Sequence, residues 1–460
     1  MARRRKSKTD RTDVTSAGNP PPPASGSGDG AEGETTGRFI VVFKDPAVSD
    51  AASVKKVLNK VAGIRGVAVA DDYPESAVSP EDLAKVEGLY FGKLGIAVVS
   101  GEEEAVQALA TAAADTDSPI MVIEPEYKAY ALQGLTPVAN EYLRGYREAV
   151  NHLYDQLTHA DGAVIEEMPF AVFQDTAQFT WGLQATRAHT SRFSGQGVRV
   201  AVLDTGMDLR HPDFAGRAIT SRSFILGQGV QDGNGHGTHC IGTSCGPKQP
   251  ASAVRRYGVA HGAAIFAGKV LSNQGSGSTG GIVAGIEWAV VNRCQIVSMS
   301  LGANVNQKIQ QYEVPTQRAL NLGTLVIAAA GNNARRSVGN FGFVTPPANA
   351  DAAMAVAALD EQLKVADFSA RSSTVAGVGG KINIAAPGVR VFSSLPVGSG
   401  KHGTLSGTSM ATPHVAGIAA LWCQATQAKG AALWAKLQQS ARALASPAAD
   451  VGSGLVQAPQ

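Results

Sequence analysis

Apolar residues follow two rhythms along this chain. In the central and C-terminal parts, short apolar runs read as strands buried on both faces. They are Val198-Arg199-Val200-Ala201-Val202-Leu203, Gln295-Ile296-Val297-Ser298-Met299 and Leu325-Val326-Ile327-Ala328-Ala329-Ala330. Helical stretches alternate with them, among them residues 281–291, with Ile286, Trp288 and Ala289, and residues 430–444. Strands alternating with helices predict a parallel sheet covered on both sides, a three-layer α/β/α domain whose reactive groups lie at the strands' carboxyl ends.

Residues 37–132 carry a second pattern. A strand is expected at 38–44, then a helix at 51–62 with Val54, Val57, Leu58 and Val61 on one face. A strand pair follows around Leu89-Tyr90-Phe91 and Ile96-Ala97-Val98-Val99, then a helix at 102–113 and a closing strand at 120–126. This βαββαβ order predicts a small α+β, ferredoxin-like sandwich. Residues 133–173 separate the two patterns, with an amphipathic helix expected at 140–157 carrying Leu143, Tyr146, Val150, Leu153 and Leu157. Residues 1–36, with Arg3, Arg4, Arg5 and Lys6 ahead of a Pro/Gly/Ser-rich stretch, predict a disordered basic tail. The expected organisation is therefore 1–36, 37–132, 133–173 and 174–460.

Composition narrows the classes. A chain of 460 residues that is 44% hydrophobic and 17% charged is globular and long enough for more than one domain. A formal net charge of +2 gives no reason to expect nucleic acid as a partner. The apolar runs fall far short of the roughly 20 residues that a membrane span requires, so no membrane partner is expected either. No apolar stretch follows Arg3 to Lys6, so no secretory leader is read and a cytoplasmic location is expected, with non-classical export as the alternative. Cys240, Cys245, Cys294 and Cys423 are too few and too scattered for a disulfide framework, and free thiols are expected.

Three segments carry chemistry. Gly407-Thr408-Ser409-Met410-Ala411-Thr412-Pro413-His414 places a serine at a helix start, with Pro413 expected in the first turn, and the unpaired N–H groups there suit a developing oxyanion. Asp204 ends a buried strand in Asp204-Thr205-Gly206, and His236 sits in the Gly-rich run Asp232-Gly233-Asn234-Gly235-His236-Gly237-Thr238-His239-Cys240. A serine hydroxyl needs an imidazole to take its proton, and the imidazole needs a carboxylate to hold its tautomer. The chain supplies all three.

Together, Val202-Leu203-Asp204-Thr205-Gly206, His236-Gly237-Thr238-His239 and Gly407-Thr408-Ser409-Met410-Ala411-Thr412-Pro413 resemble the three signatures of subtilisin-like serine proteases. The resemblance implies Asp204, His236 and Ser409 as catalytic residues and Asn332, in Gly331-Asn332-Asn333, as oxyanion donor. It implies that Ser300-Leu301-Gly302 and Gly275-Ser276-Gly277 flank an extended substrate, and that Ala329, Ala330 and Gly331 line the pocket for the residue before the scissile bond. Small uncharged walls predict a roomy pocket and a broad endopeptidase with apolar or aromatic preference. Residues 37–132 resemble the family's inhibitory propeptide, notably in Val122-Ile123-Glu124-Pro125-Glu126-Tyr127-Lys128-Ala129-Tyr130-Ala131-Leu132, so processing after Leu132 or after Phe173 is expected. Cys240 resembles the thiol beside the histidine in the proteinase K branch of the family.

No cofactor is expected for the chemistry, and the metal question stays open. Asp213 matches a calcium-ligating position of the family, whereas residues 246–259, with Pro247, Lys248, Pro250, Arg255 and Arg256, offer no Asn or Asp oxygens. Polypeptide substrates and the chain's own propeptide are the expected partners, and a monomer is expected. Two rivals stand beside hydrolysis: a subtilisin-like transamidase or macrocyclase, which needs a water-excluding lid, and a catalytically silent binding protein.

Overall fold

The computed structural model describes residues 33–44, 50–73, 85–132, 172–375 and 377–460. Residues 1–32 of the expected tail and the helix expected at 140–157 lie outside the described residues, whereas Thr35 and Thr36, assigned to the tail, begin the first strand because they lie against the closing strand of the same sheet.

The N-terminal unit runs β1 (Thr35–Phe43), α1 (Ala51–Ala62), β2 (Val67–Val69), β3 (Gly88–Phe91), β4 (Ile96–Val99), α2 (Glu103–Ala114) and β5 (Ile120–Ala131). Its strands lie in the order β5-β1-β4-β3-β2. The α+β expectation holds, with one strand more than the periodicity suggests: β2 is three residues long, too short to show an alternation, and exists through pairing with β3. Asp50 caps α1 by accepting the Ser53 N–H at 2.6 Å, and Gly63 closes it in the left-handed conformation. In β1 the alternation of a pleated strand is plain. Val41 and Phe43 pack with Val54 and Leu58 under the unit's own helices, while Ile40 and Val42 join a core that contains Leu203, Ile282 and Trp288 of the larger unit. The run is apolar throughout because both faces are covered.

The larger unit continues with α3 (Trp181–Ala185), β6 (Arg199–Asp204), β7 (Ile219–Ser223), α4 (His236–Cys245), β8 (Ala264–Lys269), β9 (Ser276–Ser278), α5 (Thr279–Val291), β10 (Ile296–Met299), β11 (Leu301–Gly302), α6 (Gln310–Asn321), β12 (Leu325–Ala329), β13 (Ala353–Leu359), β14 (Ile384–Pro387), β15 (Val391–Ser394), β16 (His402–Leu405), α7 (Thr408–Thr426), α8 (Gly430–Ser440) and α9 (Ala448–Val451). Seven strands form a parallel sheet in the order β14-β13-β12-β10-β6-β8-β7. Alternate residues feed two cores. Val200, Val202, Ile327 and Met354 pack with Ile241, Val415 and Ile418 of α4 and α7, and Ala201, Leu203, Val326 and Ala355 with Ile282 and Ile286 of α5 and Tyr312 of α6. This is the expected three-layer α/β/α domain.

The N-terminal unit docks on α5 and α6 through its own carboxylates. Glu124 accepts the N–H groups of Gln310 and Gln311 at 2.9 and 2.8 Å, and Glu126 that of Gly280 at 2.8 Å, so each occupies the positive end of a helix. Burial pushes the Glu124 carboxyl up against the pull of those donors. Arg318 on α6 answers by donating to the carbonyls of Phe43 (2.6 Å) and Gly95 (3.1 Å). Beside it Glu287 on α5, pushed up to about 7 by burial, accepts the Lys93 N–H at 2.9 Å.

At the far end, Asp450 on α9 holds both Arg336 and Arg371 at 2.6 Å, and is itself buried. Burial raises its pKa, but the two guanidinium groups outweigh that and hold the carboxyl below the usual range. Asp450→Ala is expected to cost about 2 kcal/mol, less than a fully buried pair because Arg371 is partly exposed. A depressed native pKa gives stability that is present above the unfolded value and lost as pH falls through it. Urea melts should therefore show the two chains converging in acid. Equal melts at neutral pH would refute this.

Candidate active site

Asp204 is the last residue of β6, and its carboxylate emerges at the carboxyl rim of the sheet. Its Oδ1 lies 2.7 Å from His236 Nδ1, and both side chains are essentially fully buried. His236 opens α4 because Gly235, at φ 103°, turns the chain in a conformation that disfavours any Cβ. Gly237 then lets the helix reach the strand end, for a Cβ there would come within 2.2 Å of Gly206 O. Burial alone would push the imidazole down, but the Asp204 carboxylate, with the Cys240 sulfur, more than offsets this and holds it well above the ordinary value. Burial lowers His239 to about 3 and His414 to about 4, so both neighbours are neutral at pH 7.

Ser409 is the second residue of α7. Pro413 is not in the first turn as expected but one turn further in, where it cannot donate to the Ser409 carbonyl. That carbonyl is taken instead by Ser300 Oγ at 2.8 Å and Cys240 Sγ at 3.6 Å, which ties α7 to the ends of β10 and α4. Asn332 follows β12. Its Oδ1 accepts the backbone N–H (2.9 Å) and hydroxyl (2.8 Å) of Thr408, which fixes the amide so that Nδ2 faces outward.

The end of β5 fills the space between these groups. It pairs antiparallel with β9 on one side, Ala129 opposite Gly277 and Tyr130 opposite Ser276, and with β11 on the other, Tyr130 opposite Gly302 and Ala131 opposite Leu301. Ala131 N–H donates to Gly275 O at 2.8 Å and Leu132 N–H to Ser300 O at 3.3 Å. The Leu132 carbonyl oxygen receives Asn332 Nδ2 at 2.8 Å and Ser409 Oγ at 2.5 Å. Gly407 makes room for it, since a Cβ there would lie 3.0 Å from that oxygen. The serine proton thus points at the bound carbonyl, and His236 Nε2 has no hydrogen-bond partner among the described residues.

The Leu132 side chain lies over Gly302, where a Cβ would meet its Cδ1 at 3.2 Å and Thr345 Oγ1 at 2.6 Å. Gly331 borders the same Thr345, and Ala330 O accepts the Thr345 N–H at 3.0 Å, while Ala329 is the buried last residue of β12. The sequence reading missed Thr345, which borders Gly302 and Gly331, and Thr408. Thr408 stands in the serine motif but nothing there shows its hold on Asn332, Thr345 stands in no motif, and only packing reveals both contacts. Phe173 lies apart, its N–H bonded to Glu361 O at 2.9 Å.

All four cysteines are free and buried. Asp213 faces donors: Ser252 N–H at Oδ1 and Tyr257 hydroxyl and His402 Nε2 at Oδ2, each at 2.8 Å. No helix among the described residues is long and apolar enough to cross a membrane.

Comparisons with known proteins agree with this geometry. The profile of the Subtilase family matches residues 195–454. A thermostable alkaline protease of Halalkalibacterium halodurans is 40% identical over 283 residues, covering 60% of this chain and 72% of that protein. M-protease of Shouchella clausii is 33% identical over 380 residues, covering 80% and 89%, and subtilisin NAT of Bacillus subtilis subsp. natto 36% over 270 residues, covering 58% and 64%. These relatives are secreted proteases, which overturns the expectation of a cytoplasmic location. The missing apolar stretch after Lys6 describes that segment alone and does not decide where the protein works. From the profile match and these identities, the chain belongs to the subtilase family and is a serine endopeptidase that acts on polypeptides.

Proposed function

We propose that Ser409 is the nucleophile, His236 the general base and then acid, Asp204 its orienting carboxylate and Asn332 the oxyanion donor, and that this machinery first cuts its own chain after Leu132. The observation that carries this reading is the Leu132 carbonyl oxygen lying between Asn332 Nδ2 and Ser409 Oγ. The serine hydroxyl swings from that oxygen to His236 Nε2, gives up its proton and attacks the Leu132 carbonyl carbon. Negative charge forms on the oxygen, where Asn332 already donates. His236 passes the proton to the Gln133 nitrogen as the C–N bond breaks, and water then hydrolyses the ester. The N-terminal unit stays as an inhibitor, its last strand held between β9 and β11 in the place of a product. Backbone pairing on both sides makes specificity broad. The pocket that receives Leu132 gives an apolar preference before the cut.

Full-length Ser409→Ala protein should remain uncut, while the unmutated chain yields a fragment beginning at Gln133. A fragment beginning at Gln174 alone would reject Leu132 as the site. Asn332→Ala should lower kcat by roughly 10²- to 10³-fold, a magnitude taken from subtilisin itself. Because the base works only when neutral and His236 titrates above its ordinary 6.5, kcat/KM should rise with pH through that raised value and be lost below it. A profile flat down to pH 5 would rule out His236 as the base.

The same proposal covers calcium. Ser252, Tyr257 and His402 occupy both oxygens of Asp213, so Asp213→Asn should leave the response of Tm to EDTA in the Ser409→Ala chain unchanged. An EDTA response that calcium reverses in the parent chain and that Asp213→Asn abolishes would show an ion held at Asp213.

A further inference from the structure

Lys269 is the last residue of β8, directly opposite Asp204 in the parallel register, and its side chain is completely buried. A buried ammonium is costly, so its partners are informative. Nζ donates to Thr205 O and, at 2.8 Å, to Asn273 Oδ1. Each acceptor belongs to a different part of the site. Thr205 follows Asp204, and its hydroxyl donates to Asp232 Oδ1 at 2.9 Å while accepting the Gly237 N–H at 2.8 Å.

Asp232, also buried, accepts the N–H groups of Gly235 and Thr238, both at 2.8 Å, one on either side of His236. Asn273 Oδ1 also accepts the Gly233 N–H at 3.0 Å. Asn273 lies in the loop that leads to Gly275 and β9, the edge that pairs with the chain in the cleft. One cation therefore ties together the strand end bearing Asp204, the loop bearing His236 and the edge that receives substrate. Gly206 permits the arrangement, because a Cβ there would press on Lys269 Cδ at 3.4 Å and on Val230 O at 2.2 Å.

The charges matter as well as the bonds. Burial lowers the pKa of the ammonium, and attraction to Asp232 and Asp204 works the other way. The carboxylate that makes His236 basic is thus shared with Lys269. His236 is faced by Asp204 from β6 and by Cys240 from its own helix, and Asp232 lies in the loop before it. His239 on α4 and His414 on α7 are neutral in the working range.

We propose that Lys269 is a positioning residue of the protease, which aligns Asp204 with His236 and, by drawing on the Asp204 and Asp232 carboxylates, limits the basicity of His236 and so sets the lower pH limit of activity. This inference rests on the roles given above to Asp204, His236 and Ser409. If those roles are wrong, Ser409→Ala keeps activity; if only the present inference is wrong, Ser409→Ala is inactive and the variants below keep the unmutated pH profile.

The experiment is peptide hydrolysis from pH 5 to 11 by the unmutated chain, Lys269→Met, Lys269→Arg and Asp232→Asn, with rates expressed per active site labelled by a fluorophosphonate so that unfolded or unprocessed molecules do not count. Lys269→Met leaves Asp204 wholly to His236, so the acid midpoint of kcat/KM should rise by about half a pH unit, with kcat down about tenfold or more and KM within about threefold. Asp232→Asn leaves Lys269 wholly to Asp204, so the midpoint should fall. Lys269→Arg keeps the charge and should return the midpoint toward that of the unmutated enzyme. A merely structural role predicts no opposite movement. Midpoints that move the same way in Lys269→Met and Asp232→Asn, or do not move in either, overturn the proposal. Should Lys269→Met yield no labelled sites, the Lys269→Arg and Asp232→Asn pair decides: a fall with Asp232→Asn alone supports the proposal, and unchanged midpoints in both refute it.

Discussion

Register between parallel strands is the constraint on which this molecule depends. Asp204 ends β6 opposite Lys269 of β8, Met299 of β10 lies opposite Leu203 and Ala328, and Ala329 of β12 lies opposite Val356. The strands therefore stop level with one another, and the residues just past their ends, Thr205, Ser300 and Ala330 to Asn332, gather at one rim. A slip of one residue would turn every apolar side chain to the other face, and both faces are already covered by helices. The apolar runs that hold the register leave the strand interiors few polar side chains, Ser298 of β10 among them, which concentrates the chemistry at the rim.

Polar groups at that rim are buried, so each needs a partner. The carbonyl that Pro413 leaves without its helical donor is met by Ser300 and Cys240. Asn332 is anchored through its oxygen by Thr408, which leaves its nitrogen for the bound carbonyl. Asp204 Oδ2 and His236 Nε2 are among the buried atoms that have no partner among the described residues, and Nε2 is the atom that a proton-accepting imidazole must keep free. The N-terminal unit depends on the same logic. One face of its sheet is covered by its own helices, and the other is completed only by α5 and the larger core, with Glu124 and Glu126 at two helix ends.

Much of this was legible in advance, and the departures have physical causes. The closing strand of the N-terminal unit reads from sequence as 120–126, yet β5 continues to Ala131, because its last residues pair with β9 and β11, remote segments that no local pattern announces. Pro413 looked like a first-turn residue; its true place is tolerated because donors from two other elements take over its lost bond. Thr345, fifteen or so residues beyond Ala330, comes to lie beside Gly302 and Gly331, a neighbour that no local pattern announces. Asp213 accepts hydrogen bonds from Ser252, Tyr257 and His402, residues that its position in the sequence does not announce.

By itself the sequence determined the layered α/β/α architecture, the small α+β unit before it and the identities of Asp204, His236, Asn332 and Ser409 as a candidate set. Those features are local: apolar runs, periodicity and short motifs whose spacing along the chain carries the information. Only the tertiary structure decided that Leu132 rather than Phe173 lies against Ser409, that Asn332 is held by Thr408, and that a buried Lys269 stands beside Asp204. Each of those is a contact between segments far apart in sequence, set by strand register and by the demand that every buried polar atom find a partner, and neither is written in the spacing of residues along the chain.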